Sequence, residues 1–369
     1  MIIPFAWQSI GKQEREAVAW VLSGDRPLVG GAQVAEFESI FAARVGAKHA
    51  IATASCTAAL EASCVAVGLA PGTEAVTTPF TFTATANAPK RAGATVVFVD
   101  VSDEGYHMSY ARAFARSRPG ITKAIIPVHY AGVALDMVAM EDIAWSAGAV
   151  VIEDAAQAVG SAYPDGSLVG SRPDGLCCFS FGPEKVMTTG YGGMITTGDD
   201  RLAERLRMII RQGLKRSGPF RSQVEPGMNC GMTEIQAAIG IVQLLKLDAM
   251  IARRRAIFDL YSRLLADVPG VDLPPWKSTD SNGALFPVRL LRRQAVINAL
   301  TEAGIQTSVH YRPVHLHPQW RNSTPGIGSF PNSEVLASWI LSLPMYPDLA
   351  DEDATRVAEI VIGASNRAN

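Results

Sequence analysis

The feature that most restricts the fold is an alternation that begins near Lys48 and runs to Asp154. Short apolar runs (Lys48 to Thr53, then VTTP, TVVFVDV, KAIIPVH and AVVIED) are separated by the helix-like segments TAALEASCVAVGL, TFTATANAPKRAG and MVAMEDIAWSAG. The runs are continuous in Val, Ile and Ala instead of alternating with polar residues. Such strands belong to a parallel sheet covered on both faces. The expectation is a doubly wound α/β domain, with function at the carboxyl ends of its strands.

Around this block the chain changes character twice. Up to about Val45 it is helical in period, with SGDRPLVGG as an internal loop. From Leu202 a helix is expected to about Arg211, and RQGLKRSGPFRSQVEPG reads as a basic loop. TEIQAAIGIVQLLKLDAMIARRRAIFDLYSRLL then reads as one long helix with Gly240 as a candidate kink. After VPGVDLPPWKSTDSNG the pattern becomes small α+β: LFPVRLL, a helix over Gln294 to Ala303, and IQTSVHY. The division is expected within the long helix, giving a large unit of 1–246 and a smaller one of 247–369.

Composition narrows the function. At 369 residues and 48% hydrophobic the chain can bury a sizeable core, and a formal net charge of -2 argues against a nucleic-acid partner. MIIPFAWQSIGKQE lacks the pattern of a signal peptide, and no uncharged apolar run reaches membrane-span length. Five cysteines without CxxC spacing read as reduced, buried thiols of a cytoplasmic protein. Neither G-x-G-x-x-G after a strand nor G-x-x-x-x-G-K-[ST] occurs, so dinucleotide and nucleoside-triphosphate readings lack support.

The chemistry concentrates between Val151 and Thr197. Glu153 and Asp154 end an apolar run, where a carboxylate is costly unless paired, and Gln157 follows them. A second apolar run, Cys177 to Phe181, leads to Ser180 and Lys185 and then to Gly190, Gly192 and Gly193. Covalent carbonyl chemistry needs an amine that can be desolvated and backbone that can pass close to a ligand. Upstream, ATASCTAAL turns from a strand into a helix through small residues, a corner whose amides, including those of Thr57 and Ala58, favour phosphate. Phe80 reads as a core aromatic. His310, His315 and His317 lie close together without metal-ligand spacing, and Pro313 and Pro318 favour an extended chain with diverging side chains, so no metal is expected.

EDAAQ, FSF-x-x-x-K and TTG-x-GG, in that order, resemble the pyridoxal-phosphate (PLP) sugar aminotransferases of the DegT/DnrJ/EryC1/StrS family. The resemblance runs from IPFAWQSIG to SLPMYP. It includes SCTAAL, where Cys56 replaces the usual glycine, and NCGMTEIQAAIG, where Gly231 replaces the usual arginine. It implies the type I PLP-dependent transferase fold, a large domain on a mainly parallel mixed sheet plus a small C-terminal α+β domain, and homodimers with shared active sites. By resemblance, Lys185 carries PLP as a Schiff base and moves the proton, Asp154 pairs with the ring nitrogen and Gln157 with the ring oxygen. Ser180, with Thr57 and Ala58, would hold the phosphate, Phe82 would stack on the ring, and Asn229 would reach the neighbouring subunit's phosphate. The implied reaction moves an amino group from glutamate or glutamine to a nucleotide-linked keto-sugar, expected to be a 4-keto-hexose, in amino-sugar, surface-polysaccharide or antibiotic biosynthesis. His310, Tyr311 and His315 would border the substrate pocket, with the cations Arg211, Lys215 and Arg216 meeting the diphosphate. A carbon-3 aminotransferase, a same-fold sugar dehydratase and a non-catalytic regulator are the alternatives.

Overall fold

Two helices open the chain, α1 (Lys12–Leu22) and α2 (Ala32–Val45). In the computed structural model, which describes residues 2–366 apart from 25, 104 and 322–325, the alternation is realised as an ordered series. It runs β1 (His49–Thr53), α3 (Cys56–Ala66), β2 (Glu74–Thr77), α4 (Thr83–Arg91) and β3 (Thr95–Phe98). It continues with α5 (Tyr110–Arg116), β4 (Thr122–Ile126), α6 (Met137–Ala147) and β5 (Val150–Ala155). Then β6 (Leu176–Ser180) and β7 (Gly193–Thr197) complete a seven-stranded sheet of order β1-β7-β6-β5-β4-β2-β3. Only β7 is reversed against its neighbours; the other pairs are parallel.

Successive residues of the central strands fill the two faces of the sheet, which make up the first core. Val151, Cys177 and Phe179 pack with α2, α6 and the long helix described below. Ile152, Cys178 and Ile195 pack with α3 and with α7 (Asp200–Ile209) on the other face. Because both faces are dry, the strands read as unbroken apolar runs. Helix α7 starts two residues before the expected Leu202, since Asp199 accepts the Arg201 and Leu202 amides as its N-cap. The expected basic loop is instead a hairpin, β8 (Leu214–Ser217) with β9 (Phe220–Gln223). All four β9 residues are exposed, so no alternation marked the strand.

Helix α8 (Glu234–Leu264) runs 31 residues and closes its start with a Thr233–Gln236 capping box. Its length and apolarity would suffice to cross a membrane, yet it carries Glu234, Gln243 and Arg254 as buried residues. The Glu234 carboxylate accepts the Gly31 and Gln33 amides at 2.8 and 2.7 Å, closing the first turn of α2. Gly240 does not kink the helix. A Cβ there would sit 2.7 Å from the Phe37 ring, so the glycine serves close packing of α8 on α2.

A second core gathers the carboxyl end of α8 with β10 (Val271–Asp272), β11 (Phe286–Leu290), α9 (Arg293–Glu302), β12 (Ile340–Leu343) and α11 (Asp351–Asn366). Helix α10 (Pro331–Trp339) precedes β12. The small sheet is antiparallel, β10-β11-β12. IQTSVHY contributes only isolated bridges, Ile305 to Ile3 and Ser308 to Ser342; the third strand comes from ILSL. On α8, Leu247, Met250 and Ile251 belong to the first core, and Ile257, Phe258 and Tyr261 to the second. The handover thus lies beyond the expected 246/247 division, and Ile3 crosses into the second core.

Gly240→Ala tests the packing reading. Alanine favours the helix by about 1 kcal/mol, whereas overpacking costs about 1–3 kcal/mol. Phe37 is fully buried, with ring centroids 6.0 Å from Phe41 and 5.5 Å from Phe181, so it has little room to yield. The variant should therefore unfold at lower denaturant; an equal or higher midpoint contradicts this.

Candidate active site

The carboxyl ends of β1, β5 and β6 meet the start of the reversed β7, so Thr53, Asp154, Ser180 and Gly193 lie along one edge of the sheet. A cavity of about 320 Å³ opens there. Its wall brings together Thr57, Phe82, Asp154, Gln157, Ser180 and Lys185, with His310 and Tyr311 approaching from the C-terminal third of the chain.

Asp154 is buried at the end of β5. Oδ2 accepts the Thr85 hydroxyl at 2.6 Å, which accepts that of Thr81 in turn, and Oδ1 accepts the Ala156 amide at 3.1 Å. No helix follows, so Asp154 is not a helix cap. Burial pushes its carboxyl above the ordinary range, while Thr85, Ala156 and the charge of Lys185 pull it back. Among the described residues no cation reaches ion-pair distance of it. Lys185 is mostly buried, its Nζ 3.8 Å from the Glu184 carboxylate. Gln157 sits in a turn, not a helix. Its Oε1 accepts the Ala131 amide at 2.7 Å, and Nε2 donates to the Tyr311 hydroxyl at 2.6 Å. Burial raises the Tyr311 hydroxyl pKa and, with the nearby Lys185 charge, lowers His310 to about 3, so both are neutral at neutral pH.

Helix α3 points its first turn at the cavity. Ser55 Oγ accepts the Ala58 amide at 3.1 Å as the N-cap, which leaves the amides of Cys56 and Thr57 without partners among the described residues. Ala58, expected as a phosphate donor, is thus engaged locally and does not line the cavity. Cys56 adopts ordinary helical backbone, so its position does not require glycine. The demand falls on Gly193 opposite, where a Cβ would lie 2.6 Å from the Ser55 carbonyl carbon. The hydroxyl of Ser180 has no partner among the described residues. Phe82 is 58% exposed over the cavity, 6.1 Å from Tyr311 centre to centre, and Phe80 is buried against Tyr130.

Four expected residues, His315, Asn229, Arg211 and Lys215, do not line this cavity. His315 is buried outside the cavity wall, its Nε2 3.1 Å from Glu334, because the chain turns inward after Pro313 and Val314 donates to the Pro79 carbonyl. Among the described residues it is not part of this cavity's wall, where the expectation had put it. Asn229 is exposed and bridges Arg211 through its backbone, also away from the cavity. Arg216 belongs to β8, and its side chain lies outside the described residues; neither Arg211 nor Lys215 lines the cavity. Conversely Phe5, His129, Glu184 and Tyr191 do line it. Glu184 and Tyr191 sit beside motifs already singled out. Phe5 lies in IPFAWQSIG, where the resemblance begins, but no role attaches to it there, since only tertiary folding brings its ring within 5.3 Å of His310.

Residues 8–362 match the model of the DegT/DnrJ/EryC1/StrS aminotransferase family. The chain is 37% identical to the spore coat polysaccharide biosynthesis protein SpsC of Bacillus subtilis (strain 168), over 97% of this chain and 96% of that protein. DesV of S. venezuelae, solved in complex with a ketimine intermediate, superposes with a TM-score of 0.90 at 35% identity, covering 96% of this chain and 95% of that one. Spr1654 of Streptococcus pneumoniae in its PLP form gives 0.92 at 26% identity, covering 99% of both chains. The chain therefore belongs to the DegT/DnrJ/EryC1/StrS aminotransferase family, whose cofactor is pyridoxal phosphate.

Proposed function

We propose that this aminotransferase transfers the amino group of glutamate or glutamine to a nucleotide-diphosphate-linked 4-keto-hexose, at carbon 4. The observation that carries the reading is the meeting of Lys185, Asp154, Ser180 and Gln157 in one cavity at the sheet's carboxyl edge. The residues fit PLP. A buried carboxylate without a cation suits a ring N–H, and two open amides with a free hydroxyl suit a phosphate. The name of SpsC supports a role in making a surface polysaccharide. Buried, unpaired cysteines agree with a cytoplasmic enzyme.

The cofactor, when bound, supplies a cationic ring that draws electrons from the reacting carbon. Lys185 Nζ would hold it, and its freed amine would carry the proton away from the donor's α-carbon. Asp154, fixed by Thr85 and the Ala156 amide, keeps the ring nitrogen protonated; a carboxylate short of partners binds such a proton well. Gln157, braced by Ala131 and Tyr311, has an N–H left for the ring oxygen. Ser180 and the Cys56 and Thr57 amides take the phosphate, and Phe82 covers the ring face. His310 and Tyr311, both neutral, bound the sugar side of the pocket. In a homodimer the exposed Asn229 and the cations of the β8–β9 hairpin serve the partner's site.

Three measurements test this. Lys185→Ala should lose both turnover and the visible band of the bound cofactor, and near-normal turnover rules the assignment out. Lys185→Ala and Asn229→Ala, each inactive alone, should complement when mixed. With random exchange half of the dimers are mixed and each has one intact site, so about a quarter of the native activity returns. Complete failure to complement argues against sites shared between subunits. Mass spectrometry and NMR of the aminated product should place nitrogen on carbon 4. Amination of the 3-keto isomer alone overturns that position, and reaction with keto-acids alone overturns the sugar.

A further inference from the structure

Arg254 is the largest of the fully buried side chains and stands on α8 where the first core gives way to the second. Among the described residues it has no carboxylate partner. Its guanidinium meets only backbone carbonyls: Nη1 donates to Met345 at 2.8 Å and to Gly283 at 3.3 Å, and Nη2 to Lys185 at 3.5 Å. Among the described residues Nε has no partner. Desolvation lowers its pKa to about 10, so the group is still a cation at neutral pH. A buried cation without a counter-ion is an expensive way to fill space, and an apolar side chain of similar volume would fill it at lower cost. Stability therefore does not account for an arginine here. What sets it apart is which carbonyls it holds.

One belongs to Lys185, whose own amide is tied back to Gly182. Another belongs to Gly283, in a turn whose next two residues, Ala284 and Leu285, line the cavity. That turn is pressed onto the arginine stem: Gly283 has φ +72°, and a Cβ on it would lie 2.6 Å from the Cβ of Arg254. From the same turn Asn282 donates to the carbonyls of Gln157 and Val159. The third carbonyl, Met345, belongs to the second core. One planar fork thus spans the lysine, a wall of its cavity and the C-terminal unit, which a single-point ammonium cannot do.

We propose that Arg254 is a positioning residue for Lys185, fixing the main chain from which the amine reaches the cofactor. The inference rests on the reading of Lys185 as the residue that holds PLP. A lysine stem is long and flexible, so the direction of its amine depends on where its main chain is anchored. Misplacement of a reacting group by about 1 Å can cost two orders of magnitude in rate.

The test compares cofactor-free wild type with R254M and R254K. Each is mixed with PLP, the visible band of the lysine-bound cofactor is followed in time, and the adduct is fixed with borohydride and mapped by mass spectrometry. Thermal melting is recorded alongside. We expect R254M, folded, to capture PLP at least about tenfold more slowly than wild type, with R254K recovering part of the rate. A folded R254M that captures PLP at the wild-type rate overturns the proposal and leaves Arg254 as a structural tie. If R254M does not fold, R254K decides: slower capture at an unchanged melting temperature supports positioning, and wild-type capture overturns it. Failure of the wild type to carry the adduct on Lys185 would instead refute the functional reading itself.

Discussion

Two neighbouring carboxylates, Glu153 and Asp154, are buried near the end of β5, and the arrangement of the site follows from how each is satisfied. Adjacent strand residues point to opposite faces of a sheet, so the two meet different surroundings. Glu153 does not line the cavity, and its Oε2 accepts from His129 Nε2 and from the Tyr163 hydroxyl, both at 2.7 Å, whereas Asp154 faces the cavity. The tautomer of His129 is fixed because its Nδ1 accepts the Leu135 amide. Asp154 receives only a hydroxyl and an amide, both neutral. A buried carboxylate so served retains an unmet demand for a cationic donor. On the proposed reading, the protonated ring of the cofactor in the adjoining cavity would meet that demand.

Close approach is the second condition. The reversed β7 brings its first residues beneath the start of α3, and this works only because Gly193 carries no side chain against Ser55 and Cys56. Gly192 is similarly confined, since a Cβ there would lie 2.2 Å from the Thr189 hydroxyl. The glycine-rich stretch after Lys185 therefore lets the start of β7 lie close beneath the first turn of α3. Glycine is dispensable at Cys56 for the same geometric reason: the constraint lies on the opposite strand.

The legibility of the sequence divides along physical lines. Strands buried on both faces announce themselves through continuous Val, Ile and Ala, so the large sheet and the edge carrying Asp154, Ser180 and Lys185 could be read from the residues alone. Elements set by pairing without burial could not. The β8–β9 hairpin is exposed and charged, and its only periodic signal is its own backbone ladder. The third strand of the small sheet is ILSL and not IQTSVHY, a choice made by which segment faces β11 and invisible to either composition. Gly240 illustrates a related ambiguity, since the same residue serves a kink or a close contact and only the position of Phe37 decides. His315 shows the limit of motif reading. It shares a short motif with His310, yet one ring faces Ser342 near the cavity and the other is folded inward onto Glu334.

Charge supplies the last constraint. Among the described residues the cavity wall has one lysine or arginine, Lys185, beside the carboxylates Asp154 and Glu184. His310 is held neutral by burial and the nearby lysine. A cofactor phosphate carries about two negative charges at neutral pH. The open turn of α3 offsets roughly half a charge. On the proposed reading, the nucleotide diphosphate of the substrate would add further negative charge, and Lys185 is the one lysine or arginine among the described residues of the wall. Arg211 and Lys215, on and beside the β8–β9 hairpin, and Asn229 are exposed and do not line their own chain's cavity. Serving a neighbouring copy would give these groups a function and supply the missing cations. On that reading, completing the site across a dimer would offset the electrostatic deficit of a single chain.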